Sequence, residues 1–160
     1  MIIKASSVIY LFDFDGTLVG DNTWTSYFKS TKAAIQKGPY INPNIDFGIK
    51  WYVLTGRPRM DKWLIWLICH LQGLHPEAIY TYPKWFWDCE SVEDIYNFKV
   101  EFIKNLLNAT FKIQEELVDT VFYIDNDLTC VSKLNVMAKG YRYKALTSKD
   151  FKNEDFGFYL

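Results

Sequence analysis

The chain switches repeatedly between unbroken apolar runs and apolar positions spaced three or four apart. Val8-Ile9-Tyr10-Leu11-Phe12 is an apolar run that ends at Asp13 and, one residue further on, at Asp15 and Gly16. A short run bounded by a turn residue predicts a buried strand, over about residues 8–13. Asn22 or Thr23 then suits the start of a helix running to about Lys37, with Trp24, Phe28, Thr31 and Ile35 as its inward stripe and Gly38-Pro39 as its stop. Residues 39–48, rich in Pro, Asn and Asp, read as loop. A second strand spans 49–54 and ends at Thr55-Gly56-Arg57-Pro58. Pro58 suits the first turn of a helix reaching about Gln72, with Met60, Leu64, Leu67 and Leu71 as core face and Gly73 as cap. A third strand over 78–82 leads into an aromatic loop containing Trp85-Phe86-Trp87-Asp88-Cys89. A helix over about 92–108, a strand over 120–125, a helix over about 128–139 stopped by Gly140, and a strand over 141–146 complete the pattern. The tail mixes charges with Phe151, Phe156, Phe158 and Tyr159, and its aromatics give it reason to pack back on the body.

Strands alternating with helices predict a parallel α/β sheet with crossover helices, whose sites form beyond the carboxyl ends of the strands. Those ends carry Asp13 and Asp15, then Thr55, then Asp125-Asn126-Asp127. If extended geometry persists through position 15, Asp13 and Asp15 point to one side. Two such acids repel each other unless a cation or a shared proton intervenes, which makes this a natural place for a divalent metal. Plainer readings exist: Thr55 as an ordinary turn residue, and 125–127 as a helix N-cap. Lys99 falls inside the apolar stripe of Ile95, Phe98, Phe102 and Leu106. A lysine there must snorkel outward, as Lys104 is expected to do, or neutralise, or meet carboxylates.

Composition narrows the class. The 160 residues are about one domain long, and 49% hydrophobic with 18% aromatic content indicates a well-packed globular protein. A net charge of −1 provides no general basic field for nucleic acid, so any polymer contact needs a local patch. The three cysteines, Cys69, Cys89 and Cys130, have no metal-ligand spacing and are expected to be buried reduced thiols, which suits a cytoplasmic protein. The apolar stretch 63–71 is too short for a membrane span and fits a buried helix. No secretory signal pattern is apparent at the amino end. One domain over 1–160 is expected.

The string Asp13-Phe14-Asp15-Gly16-Thr17-Leu18, with hydrophobics before it, resembles motif I of the haloacid dehalogenase (HAD) superfamily. Thr55, Lys99 and the cluster from Asp125 follow in the order of that family's motifs II, III and IV. The resemblance implies a HAD-like Rossmannoid three-layer α/β fold: a five-stranded, mostly parallel sheet with helices on both faces. It implies a magnesium-dependent phosphatase in which Asp13 is the nucleophile and forms an aspartyl-phosphate, and Asp15 is the acid and base. Thr55, Gly56, Arg57 and Lys99 would hold the substrate phosphate. Mg2+ would be bound by Asp13, the main-chain carbonyl of Asp15, and Asp125, with Asn126 or Asp127 ligating directly or through water. Asp15 speaks against the dehalogenase branch, because carbon–halogen cleavage needs no acid for an alkoxide.

Neither the span from Asp15 to Thr55 nor that from Tyr82 to Lys99 leaves room for a folded cap domain, and open sites in this family often serve macromolecules. Leu54-Thr55-Gly56-Arg57 and Phe98-Lys99 also resemble the Swiss-Army-knife RNA-repair-like HAD subgroup, whose fourth motif differs in showing Glu-Asp-Arg followed by His. The Asp125-Asn126 pair resembles that of uncapped protein phosphatases acting on phosphoserine tails. The implied substrate is a phosphomonoester, with a polynucleotide 3′- or 5′-phosphate as the leading form. A small metabolite or nucleotide, a phosphoprotein, and a catalytically silent HAD-like binding module are the alternatives. Trp85, Phe86 and Trp87 are candidates for base stacking, and Arg57, Arg59 and Lys62 for a local basic edge. No membrane partner is expected.

Overall fold

A computed structural model of the chain describes residues 7–20, 27–83, 91–107, 118–137 and 143–153. The apolar runs form strands β1 (Ser7–Phe12), β2 (Tyr52–Pro58), β3 (Ile79–Tyr82), β4 (Val118–Ile124) and β5 (Tyr143–Leu146). They join in one parallel sheet of order β3-β2-β1-β4-β5. The first three strands are laid outward on one side, and the chain then returns to the other flank of β1. This reversal makes the gap between the carboxyl ends of β1 and β4 the topological switch point, where side chains can converge without a strand covering them.

Both faces of the sheet are covered, which explains why its strands read as continuous apolar runs. Tyr10, Phe12, Trp51 and Val53 point to one face and Ile9, Leu11, Tyr52 and Leu54 to the other, each set belonging to its own core. The first face meets helices α1 (Tyr27–Gln36), α3 (Lys62–Leu71) and α6 (Ser148–Asn153) through Ala34, Ile65, Ile68 and Phe151. The second meets α4 (Val92–Leu107) and α5 (Leu128–Met137) through Val100, Ile103, Cys130 and Leu134. Phe151 stacks edge-on against Tyr10, Phe12 and Phe47, so the tail packs on the body as far as it is described.

The element order follows the apolar pattern, with several local differences. A short helix, α2 (Pro43–Asp46), interrupts the expected loop. β2 continues to Pro58, and a 3-10 turn over Arg59–Asp61 precedes α3. That turn winds more tightly than an α-helix and rotates the faces that follow. The buried residues of α3 are accordingly Ile65, Ile68 and Cys69, while Met60, Leu67 and Leu71 from the expected core face lie exposed. Trp63 and Trp66 are also exposed, with Trp66 stacked on His70, so the apolar stretch 63–71 is only half buried. Of the α1 side chains described, Ala33 and Ala34 are buried and Ile35 is exposed; those of Phe28 and Thr31 from the expected stripe lie outside the description. A side chain on Gly20 would come within 2.7 Å of the Ala33 carbonyl, an approach that favours small residues on this face. Gly73, at φ +71°, ends the helical segment as expected. Cys69 and Cys130 are free and buried. Trp24, Trp85, Phe86, Trp87, Cys89 and Gly140 lie outside the described residues. Among those described, no helix is long and apolar enough to cross a membrane.

Candidate functional site

The site begins where β1 runs out. The ladder continues one residue past the strand, because the Asp13 amide donates to the Ile124 carbonyl at 2.9 Å. Alternation persists as well: Phe14 is buried in the core, while Asp13 and Asp15 both line a cavity. Gly16, at φ +76°, then turns the chain, and the Leu18 amide donates back to the Phe14 carbonyl at 3.1 Å. A side chain would strain this left-handed position. On the neighbouring strand the Asp125 amide donates to the Leu146 carbonyl at 3.0 Å, which fixes the second acid in the same way.

Lys99 joins the two. It sits on the buried face of α4 among Ile95, Tyr96, Val100 and Ile103 and is only 4% exposed. Its ammonium lies 3.0 Å from Asp13 Oδ1 and 3.2 Å from Asp125 Oδ2, and 5.3 Å from the Tyr123 ring centre. Of the fates open to a core-facing lysine, the chain uses carboxylate pairing. Burial alone would push the Lys99 pKa down, but Asp13 and Asp125 outweigh it and hold the group above its ordinary value.

A second cation serves Asp15. Arg57 Nε and Nη2 donate to Asp15 Oδ2 and Oδ1, each at 2.6 Å, a two-pronged clasp. Arg57 is 5% exposed, with its guanidinium 5.6 Å from the Phe14 ring centre, so it is not part of an exposed basic edge; Arg59 and Lys62 are exposed. Its third nitrogen donates to Asp61 at 3.3 Å, and its amide donates to the buried Thr55 hydroxyl at 3.2 Å. Gly56 has a steric role: a Cβ there would meet Ile95 Cγ2 at 2.5 Å, so its bare backbone lets α4 approach β2.

The acidic triplet divides its labour. Asp125 is buried and accepts from Lys99 and Tyr123 through Oδ2 and from the Asp127 amide through Oδ1. Burial would raise its pKa, but Lys99 and these donors lower it. Asp127 is the N-cap of α5: its Oδ1 accepts from the Thr129 and Cys130 amides and its Oδ2 from the Tyr96 hydroxyl. Asn126 straps the two acidic loops together, donating its side-chain nitrogen to the Gly16 carbonyl and its amide to the Thr17 hydroxyl.

Four carboxylates (Asp13, Asp15, Asp61 and Asp125) thus share two cations (Lys99 and Arg57), a formal surplus of two negative charges. The strain falls on Asp13: burial first, then the charge of Asp125, push its pKa up to about 8 against the pull of Lys99. Among the described residues no three acidic, histidine or cysteine side chains form a ready cation cage. Magnesium does not require one, since it commonly takes one or two carboxylates and keeps several waters. Asp13 and Asp125 fit that mode, and a divalent ion would offset the excess negative charge that the two cations leave.

The cavity has a volume of about 580 Å³. Asp13, Asp15, Thr55, Arg57, Lys99 and Asp125 line its floor, and Ser91, Val92 and Ile95 at the start of α4 line its wall. The residues singled out through the motifs, Gly56, Asn126 and Asp127 included, therefore meet in one place, whereas Arg59 and Lys62 do not line the cavity and the candidate stacking residues Trp85, Phe86 and Trp87 lie outside the described residues. Reading the sequence missed Asp61, Thr17, Tyr96 and Tyr123. Each looked ordinary for its element: an acid at a helix start, a turn threonine, and tyrosines among core aromatics. The chain matches no protein-family model, and no curated protein matches it in sequence.

Proposed function

We propose that the protein is a magnesium-dependent phosphomonoesterase of HAD type, acting through an aspartyl-phosphate on Asp13. The observation that carries this reading is Lys99, buried in an apolar helix face yet bonded to both Asp13 and Asp125 at the topological switch point. A core does not need a lysine and two acids there, whereas phosphoryl transfer needs a nucleophile, a cation and a metal ligand within a few ångströms. The sheet order and the placement of Thr55, Lys99 and Asp125 around Asp13 support the HAD assignment.

In the first step Asp13 attacks phosphorus in line, its Oδ–P bond forming as the ester P–O bond breaks, and Asp15 gives its proton to the leaving alkoxide. In the second, Asp15 takes a proton from water as that water attacks phosphorus and releases Asp13 with inorganic phosphate. Lys99 and the Thr55 hydroxyl hold the transferring oxygens. Mg2+, held by the Asp13 and Asp125 carboxylates, would offset the anionic charge and favour the ionised, nucleophilic form of Asp13, which otherwise keeps a proton to about pH 8.

The site is read as capless, since only α1 and the four-residue α2 are described between Gly20 and β2, and residues 84–91 alone separate Pro83 from α4. An open cavity suits a phosphate at the end of a larger molecule, with a polynucleotide 3′- or 5′-phosphate as the leading candidate. The reaction is tested with a generic aryl phosphate, with magnesium and with chelator. Turnover is expected to disappear in Asp13→Asn and on metal removal; survival of either at wild-type level sinks the mechanism. Rates on phosphorylated oligonucleotides, nucleotides, phosphopeptides and sugar phosphates then rank the substrate classes, and a wide margin for free metabolites refutes the macromolecular reading.

A further inference from the structure

The proposed mechanism gives Asp15 two proton transfers, and what fixes its carboxylate becomes a question of its own. Arg57 grips both oxygens of Asp15 through a planar fork, which leaves each oxygen a further lone pair for a proton. Asp61 closes the 3-10 turn that runs directly into α3, with helical backbone angles (φ −87°, ψ −3°) and no side-chain capping hydrogen bond. It is instead turned inward, 2% exposed, against Arg57 Nη1. A carboxylate buried this far is costly unless it is paired, and its ion pair with Arg57 in turn restrains that arginine's orientation.

We propose that Asp61 and Arg57 are positioning residues that hold the Asp15 carboxylate in line for proton transfer, Asp61 acting through Arg57. This rests on the phosphomonoesterase reading, and gives Arg57 a different task from gripping the substrate phosphate.

The test compares kcat/KM for an alkyl phosphate and for p-nitrophenyl phosphate. That quantity covers only the steps through leaving-group departure. An alkoxide needs a proton to leave, whereas p-nitrophenolate does not. Asp15→Asn sets the scale, because a positioned general acid contributes about 10²- to 10⁴-fold. A misplacement of about 1 Å can cost about 10²-fold, so partial loosening in Asp61→Asn is expected to lower the alkyl-to-aryl ratio about tenfold. Arg57→Lys, which keeps the charge and loses the fork, is expected to do the same and covers the case in which Asp61→Asn folds poorly. Without metal, the Arg57 Nε–H resonance is expected to be protected from exchange in the wild type and to lose that protection in Asp61→Asn. Equal losses on both esters, as a structural role or a grip on the phosphoryl group would give, overturn the proposal while leaving the phosphatase reading standing. A wild-type protein that hydrolyses neither ester in magnesium removes the phosphatase reading itself, and this one with it.

Discussion

Replacing Lys99 with methionine separates the chemistry of the site from its stability. The new side chain is apolar and of similar length, and it completes the buried face of Ile95, Tyr96, Val100 and Ile103 without a void the size of the lysine stem. What disappears is one charge and its bonds to Asp13 and Asp125. Removing one member of a buried ion pair can cost about 3–5 kcal/mol when the remaining charge has no outlet. Here Asp13 has one, since at neutral pH its carboxyl, held up at about 8, already favours the proton. Asp125 keeps the Tyr123 hydroxyl and the Asp127 amide as donors. The net loss is then nearer a single charge-assisted hydrogen bond, about 1.5–3 kcal/mol. For a chain of this size that corresponds to a fall in Tm of roughly 3–12 °C, from about 2–4 °C per kcal/mol. Under the proposed function, turnover is expected to suffer more, because a preorganised donor to the transferring group is worth about 10²–10³ in kcat. Thermal melts and steady-state kinetics, run well below the variant's melting temperature, measure both quantities on one sample. A variant that melts early but keeps kcat within about threefold of wild type would refute the catalytic role, since the expected loss is about 10²-fold or more, and would leave Lys99 as a strut between two acids.

Two further outcomes follow from the same geometry. Asp13 titrates at about 8 when folded against 3.8 in its unperturbed state, so between those values the folded chain holds a proton that the unfolded chain has released. Its contribution to stability is complete below about pH 4 and is lost as pH rises through about 8. Asp125, lowered in the fold, acts in the opposite sense only at acid pH, and the buried Cys69 and Cys130 thiols, raised in the fold, add to the fall only towards about pH 9, so urea denaturation of metal-free protein from about pH 5 to 7.5 reads mainly Asp13 and is expected to show falling stability. Magnesium should flatten that slope by taking the proton's place, and a slope that is flat or rising without metal contradicts the charge count. Gly56→Ala places a Cβ against Ile95 and is expected to cost about 1–3 kcal/mol by overpacking. Because α4 carries Lys99, turnover should fall with it; wild-type melting and wild-type turnover together would show that the backbone there has room to move.

The acid pair and Lys99 were legible because each breaks the rule of its element, whereas Thr55 and Asp125 stood out only by following them in the order of the motifs they resemble. A carboxylate ending an apolar run and a lysine inside an apolar stripe both contradict packing, and only a shared purpose reconciles them. Asp61 and Tyr123 break no such rule. An aspartate before a helix and a tyrosine in a strand are what those elements ordinarily contain, and only their inward orientation reveals the work they do. The faces of α3 were illegible for another reason. Lys62–Leu71 is apolar nearly all round, so periodicity offers no preference, and a single 3-10 turn ahead of it decides which side meets the sheet. Arg57 could be placed near the site from the sequence, but not buried and clasped to Asp15, because that depends on β2 continuing to Pro58.

The amides of Asp13 and Asp125 are hydrogen-bonded into the sheet beyond the last residues of their own strands. The separation of the two acids is therefore inherited from the spacing of adjacent strands and is independent of the loops around them. Parting them requires opening the ladder at the centre of the domain, an event that approaches global unfolding in free energy. Hydrogen exchange at these two amides should be among the slowest in the chain. The cavity wall is a different kind of object: it is made by the first turn of α4 and can be rebuilt by mutation at little risk to the centre. A lineage carrying this arrangement is free to exchange one substrate for another while the reacting atoms stay where the sheet put them.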